Sequence, residues 1–120
     1  MSYDSNNIFA KILRGEIPCN KIYEDEHVLA FKDIRPQAKV HALVIPKGAY
    51  LSAQEFGEKA SEKEITAFHR AVWKVAKDLG VAETGYRIIA NSGAHGHQEV
   101  PHYHVHILGG QPIGKMVNLP

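Results

Sequence analysis

Residues 102–107 read His-Tyr-His-Val-His-Ile, and no other stretch restricts the fold so tightly. The alternation has a period of two, which is the period of a β-strand. His102, His104 and His106 then project from one face, and Tyr103, Val105 and Ile107 from the other, onto a helix. Three imidazoles in a row have no value as core packing, because burying them demands a partner for every ring nitrogen. The run is internal and interleaved with apolar residues, which sets it apart from a tag. Histidine is also concentrated here: of the 8 in the chain, His95, His97, His102, His104 and His106 fall within residues 95–106.

A strand needs a sheet, and the rest of the chain supplies one. Asn6 or Asn7 is placed to cap a short helix whose apolar side is Ile8, Phe9, Ile12 and Leu13. Gly15 ends it and Pro18 follows. Lys21–Glu24 and Val28–Lys32 flank the polar turn Asp25-Glu26, the pattern of a hairpin. Residues 33–39 contain Pro36 and read as a loop. His41–Ile45 is a third strand, closed by Pro46. Residues 46–60 read as irregular or as a brief helical turn. Over residues 62–79 the spacing predicts a long helix. Ser61 and Glu64 form the capping-box pair, and Ile65, Phe68, Val72, Val75 and Leu79 make one buried stripe. Gly80 stops it. Tyr86–Ala90 is a fourth strand and His102–Leu108 a fifth. Mostly antiparallel strands with one long and one short helix define an α+β domain.

The chain of 120 residues, 44% hydrophobic with net charge +1, suits one domain over residues 1–120 and excludes disorder as its main state. No repeat, low-complexity run or linker interrupts it. The longest apolar stretch, Ala42–Ile45, falls far short of the roughly 20 residues that cross a bilayer, so no membrane partner is expected. The first ten residues show no basic segment followed by an apolar run, so no secretory signal is expected. A single cysteine, Cys19, excludes an internal disulfide and any CxxC zinc site, and a reducing cytoplasm is the expected compartment. With 14 basic against 13 acidic residues there is no charge excess for nucleic-acid binding.

Two chemistries fit a histidine face. Alternate histidines on a strand sit about 6.6 Å apart and the outer two about 13 Å apart, so neighbours could share a zinc ion while all three could not. A metal would need a ligand from another strand, and His41 is the best placed. Catalysis fits better. A neutral imidazole is a good nucleophile toward phosphorus or acyl carbon near pH 7, provided its other nitrogen is held as a donor. His104, flanked by a histidine on each side, is the candidate. The glycine-containing loop from Asn91 to Glu99 can turn backbone N–H groups toward an anion. His27 and His69 read as exposed. His95 and His97 lie near that loop without an assigned catalytic role.

The run His102-Tyr103-His104-Val105-His106-Ile107-Leu108 resembles the histidine-triad motif. Further matches are Ile8-Phe9-x-Lys11-Ile12, Gly15-Glu16-Ile17-Pro18, Tyr23-Glu24-Asp25, Leu29-Ala30-Phe31-x-Asp33-Ile34-x-Pro36-x-Ala38, His41-x-Leu43-Val44-Ile45-Pro46-Lys47, Gly85-Tyr86-Arg87 and Gly109-Gly110. Together they resemble the Hint branch of the histidine triad (HIT) superfamily, the histidine triad nucleotide-binding proteins, over about residues 6–116. Gln98-Glu99-Val100 and Pro112-Ile113-Gly114-x-Met116 look like its bacterial side.

The resemblance implies a five-stranded antiparallel sheet and a homodimer that joins two into ten strands. It implies purine nucleotide partners (AMP, GMP or their phosphoramidates) and hydrolysis of nucleoside 5′-phosphoramidates to monophosphate and amine, with no cofactor or metal. By the same resemblance His104 is the nucleophile and forms a nucleotidyl-imidazole. His106 contacts the phosphate and its developing charge, and His102 and His41 orient the site. Asn91 holds the phosphate region, helped by Gln98. Asp33 accepts from the ribose hydroxyls, with Lys32 nearby. Ile8, Phe9, Ile12, Phe31 and Ile34 form the slot for the base. Glu99 stands where many eukaryotic members have a serine, on the phosphate or leaving-group side. Two other functions are the alternatives: a nucleotide-binding regulatory module with incidental hydrolysis, and a dinucleoside polyphosphate hydrolase of another branch of the superfamily, over which Gly15-Glu16-Ile17-Pro18 and Asp33-Ile34 favour Hint.

Overall fold

The computed structural model describes residues 2–117. Helix α1 (Ile8–Leu13) is followed by strands β1 (Lys21–Glu24), β2 (Val28–Lys32) and β3 (Val40–Pro46). Helices α2 (Ala53–Lys59) and α3 (Glu62–Asp78) come next, then β4 (Arg87–Ile89) and β5 (Val105–Gly109). The five strands form one antiparallel sheet in the order β1-β2-β3-β5-β4. This is the α+β architecture expected, with α2 as a second short helix where the sequence reads as irregular or as a brief helical turn.

Burial on both faces explains why β2 and β3 read as near-continuous apolar runs. On one face Val28, Ala30, Ala42, Val44, Val105 and Ile107 pack against Phe68, Val72 and Val75 of α3. Phe56 of α2 and the half-buried Tyr103 extend that layer, their rings stacked at 5.0 Å. On the other face Leu29, Phe31, Leu43 and Ile45 pack under Phe9 of α1. Alternation therefore sends Tyr103, Val105 and Ile107 to the helical layer, as read from the sequence, and leaves the other face of β5 to the histidines.

Local chemistry sets the helix ends. Asn7 caps α1, its side chain accepting from the Ala10 N–H at 2.9 Å. Ser61 and Glu64 make the reciprocal capping box of α3. Ile65 departs from the expected stripe: it is 40% exposed, one turn into α3, while Ala71 and Ala76 join the buried side instead. The ladder of β5 begins only at Val105, not at His102. The preceding backbone is tied elsewhere, since the His102 N–H donates to the Val100 carbonyl and the Tyr103 N–H to the Tyr50 carbonyl at 2.7 Å.

Candidate active site

β3 and β5 bring four imidazoles to the α1 face. In the ladder Leu43 lies opposite His106 and His41 opposite Leu108, which makes His41 and His106 diagonal neighbours on one face. His104 and His102 continue the row beyond the strand.

Hydrogen bonds fix which nitrogen of each ring carries a proton. His102 is fully buried, contrary to the expectation that such rings stay out of the core. Both of its nitrogens are partnered: Nε2 donates to the Pro46 carbonyl at 2.8 Å, and Nδ1 accepts from the Tyr3 hydroxyl at 2.6 Å. His104, 5% exposed, donates from Nδ1 to the His102 carbonyl at 2.7 Å. Its Nε2 therefore keeps a lone pair. His41 Nδ1 accepts from the Gln37 N–H at 3.0 Å, so its proton is on Nε2. That Nε2–H donates to His106 Nδ1 at 2.9 Å, with Asp33 Oδ2 3.4 Å away. His106 is left with its proton on Nε2. Among the described residues no buried side-chain nitrogen or oxygen lacks a partner. The Nε2 atoms of His104 and His106, which bond nothing, are consequently open to the cleft.

Electrostatics support the same protonation states. Burial pushes the His102, His104 and His41 imidazoles below their ordinary value, against the opposing pull of Asp33 on His41 and His104. His106 is pushed down to about 4, by burial first and then by its neighbours His104 and His41. At neutral pH the cleft thus presents a neutral imidazole lone pair, on His104, beside a neutral N–H donor, on His106. Their ring centroids are 5.1 Å apart.

The cleft holds about 520 Å³ and is lined by these two rings, His41, Phe9, Leu43, Val100, Asp33, Ile34, Asn91 and Glu99, with Arg35, Gln37 and His97. A larger groove of about 800 Å³, between Gly80–Arg87 and Gly110–Gly114, contains no imidazole. Phe9, Ile34, Asp33, Asn91 and Glu99 are thus brought to the histidines. Phe9 packs edge-on against His104 at 5.0 Å, and Ile34 stands 81% exposed at the rim.

Other expected site residues lie off this cleft, each for a local reason. Ile8 is on the outer side of α1, 42% exposed. Ile12 packs into the lower core beside Leu13 and Cys19. Phe31 is buried behind Phe9, ring centroids 5.6 Å apart, and supports the cleft from beneath. Lys32, at the end of β2, is exposed. Gln98 is a staple of its own loop: its amide donates to the Leu51 and Val100 carbonyls and its oxygen accepts from the Gly93 N–H. Sequence reading missed Arg35, Gln37, Leu43 and Val100, and it placed His97 near the site without a catalytic role. His27, expected exposed, is half-buried, whereas His69 is exposed.

Asp33, His41 and His106 each place one potential metal ligand within 4.8 Å of the others. His41 is the residue from a neighbouring strand that the metal reading needs. A cation there would displace the proton shared by His41 and His106.

Residues 14–113 match the HIT domain. A HIT-like protein of Azospirillum brasilense is 55% identical over 116 residues, 97% of this chain and 95% of the relative. The purine nucleoside phosphoramidase of Escherichia coli K12 is 43% identical over 110 residues, 92% of each chain. A solved HIT family hydrolase from Clostridium thermocellum superposes with a TM-score of 0.87 at 43% identity, covering 96% of this chain and 99% of that one. A histidine row on β5, continuous likeness over nearly the whole length and a shared fold agree, and the chain belongs to the HIT family.

Proposed function

We propose that the protein hydrolyses purine nucleoside 5′-phosphoramidates through a covalent nucleotidyl intermediate on His104. The observation that carries this reading is the ordered set of imidazole tautomers, which leaves one lone pair, on His104 Nε2, in the cleft. A neutral imidazole held as a donor at its other nitrogen is an activated nucleophile. Its Nδ1–H keeps donating to the His102 carbonyl as positive charge develops on the ring.

His104 Nε2 attacks the α-phosphorus, the P–N bond breaks, and the leaving nitrogen departs as an amine. Water then attacks the same phosphorus and returns the electron pair to Nε2, releasing AMP or GMP. The His106 Nε2–H and Asn91 face the phosphoryl oxygens and offset their growing charge. Asp33 accepts from the ribose hydroxyls, since a carboxylate has acceptor oxygens enough for a vicinal diol. The base lies against Phe9, Ile34, Leu43 and Val100. The reaction asks for no cofactor. The purine nucleoside phosphoramidase among the relatives supports this substrate class.

A homodimer and a cytoplasmic location belong to the same proposal. β4 ends the sheet, and Tyr86 and Ile88 along that edge are exposed apolar groups at 38% and 49%, an edge suited to a second copy. Among the described residues no helix is long and apolar enough to cross a membrane.

The test is mass spectrometry after brief incubation with adenosine 5′-phosphoramidate. A nucleotidyl adduct on His104 is expected, with turnover lower by about 10³-fold or more in His104→Ala. A nucleotide-binding module with incidental hydrolysis would need only affinity. Turnover undiminished in His104→Ala refutes the reading.

A further inference from the structure

His97 occupies an unfavourable backbone conformation. Its φ of 56° makes it the one non-glycine residue, among those described, in the left-handed region. Glycine adopts that conformation freely, and other residues persist there where surrounding structure holds them. Packing gives no reason for histidine here, because its side chain is 86% exposed. It does line the cleft of His104, and its Nε2 lies 3.1 Å from Glu99 Oε1, in the same wall.

Apart from the His97–Glu99 pair, that cleft lacks a donor for the leaving group. Breaking a P–N bond leaves an electron pair on nitrogen, which must gain a proton as it departs. The Nδ1–H of His104 is held by the His102 carbonyl. His41 and His106 are neutral and joined to each other, so yielding a proton would leave an imidazolate. Arg35 keeps its proton. Asp33 accepts from the Arg35 N–H and lies beside His41.

We propose that His97, paired with Glu99 at the rim of the cleft, donates the proton to the leaving nitrogen. The inference rests on the phosphoramidate reading and names a residue for its missing step. His97 is then a catalytic residue and Glu99 its positioning partner. In the charged form Nε2–H donates to Glu99, and Nδ1–H is the proton transferred. As His104 Nε2 bonds phosphorus, the P–N pair takes that proton, giving a neutral amine and a neutral His97. When water attacks the nucleotidyl intermediate, His97 Nδ1 accepts its proton and the imidazolium is restored. The charged and titratable groups about the cleft are Asp33, Arg35, His41, His104, His106 and Glu99.

The test compares two substrates. Adenosine 5′-phosphoramidate needs a proton on its leaving group, whereas the 4-nitrophenyl ester of AMP releases a stable anion. His97→Gly accepts the backbone conformation, so the loop is retained. Its kcat/KM on the phosphoramidate is expected to fall by about 10²-fold or more, with a loss at least tenfold smaller on the ester. His97→Asn, which also tolerates a positive φ, should behave alike. Glu99→Gln, whose amide oxygen still accepts from the His97 Nε2–H, should lose less on the phosphoramidate than either His97 variant. Equal losses on the two substrates, or less than threefold on the phosphoramidate, overturn the assignment while adduct formation on His104 still stands. Ester turnover that survives His104→Ala overturns the underlying reading instead.

Discussion

Replacing His102 by leucine separates the imidazole that builds the site from the one that reacts. The His102 ring is fully buried and makes two hydrogen bonds, to the Pro46 carbonyl and the Tyr3 hydroxyl. Leucine is of similar size and can make neither. A buried carbonyl stripped of its partner costs about 1–3 kcal/mol. The half-buried Tyr3 hydroxyl can turn to water, so its loss is nearer about 1 kcal/mol. Leucine's larger apolar area returns about 1 kcal/mol, leaving a net destabilisation of about 1–3 kcal/mol. Against a usual domain stability of about 5–15 kcal/mol, that is measurable by urea unfolding followed by circular dichroism. Chemistry should suffer far less. His104 Nδ1 is held by the backbone carbonyl of residue 102, which leucine also supplies. Turnover of adenosine 5′-phosphoramidate by folded His102→Leu should fall less than tenfold. An unchanged urea midpoint would mean the two bonds contribute nothing. A native spectrum with turnover as low as in His104→Ala would mean that the side chain itself takes part in the reaction.

Acid should destabilise the fold. His41, His102, His104 and His106 are all held below the ordinary imidazole value by burial. The unfolded chain therefore binds protons that the folded chain refuses, and their contribution, complete above about pH 6.5, is lost as pH falls toward the folded values. For His106, with a folded value of about 4, the ceiling is about 3 kcal/mol. Urea midpoints should drop steadily between pH 8 and 5, and a flat profile would contradict the neutral-imidazole network. At the end of β5, Gly109→Ala would place a Cβ 2.8 Å from Val81 Cγ1 and 3.0 Å from Val81 Cβ. A loss of about 1–3 kcal/mol is expected in the same unfolding assay, and wild-type stability would refute the close approach.

Local patterns carried most of the fold. The apolar runs placed β2 and β3, and the period-two histidine run β5, within a few residues, and the Ser61–Glu64 box marked the start of α3. What escaped has physical causes. Helix α2 contains Gly57 and has no side-chain cap from Ser52, so its sequence carries little helical signal. Phe56, its buried residue, is held by Phe68 and Tyr103, contacts made only after folding. Ile65 fits the periodicity of α3, yet lies in its first turn, where the buried layer ends.

The site was legible as a row of imidazoles and not as a set of roles. Side-chain period and strand position put His104 and His106 on one face, because both depend on neighbouring residues. Roles depend on partners supplied from elsewhere. Tyr3 meets His102 across 99 residues, Pro46 meets it across 56, and His41 meets His106 across 65. No local pattern encodes those separations, and without them four chemically identical rings cannot be told apart. With them the rings divide: His102 becomes a structural strut, His41 sets the tautomer of His106, and His104 is left with the lone pair. Glu99 shows the same dependence. In sequence it is a carboxylate beside a phosphate site, which reads as repulsive. In the fold it lies 3.1 Å from His97 Nε2, and both side chains line the cleft of His104, a pairing that two positions in a loop do not disclose.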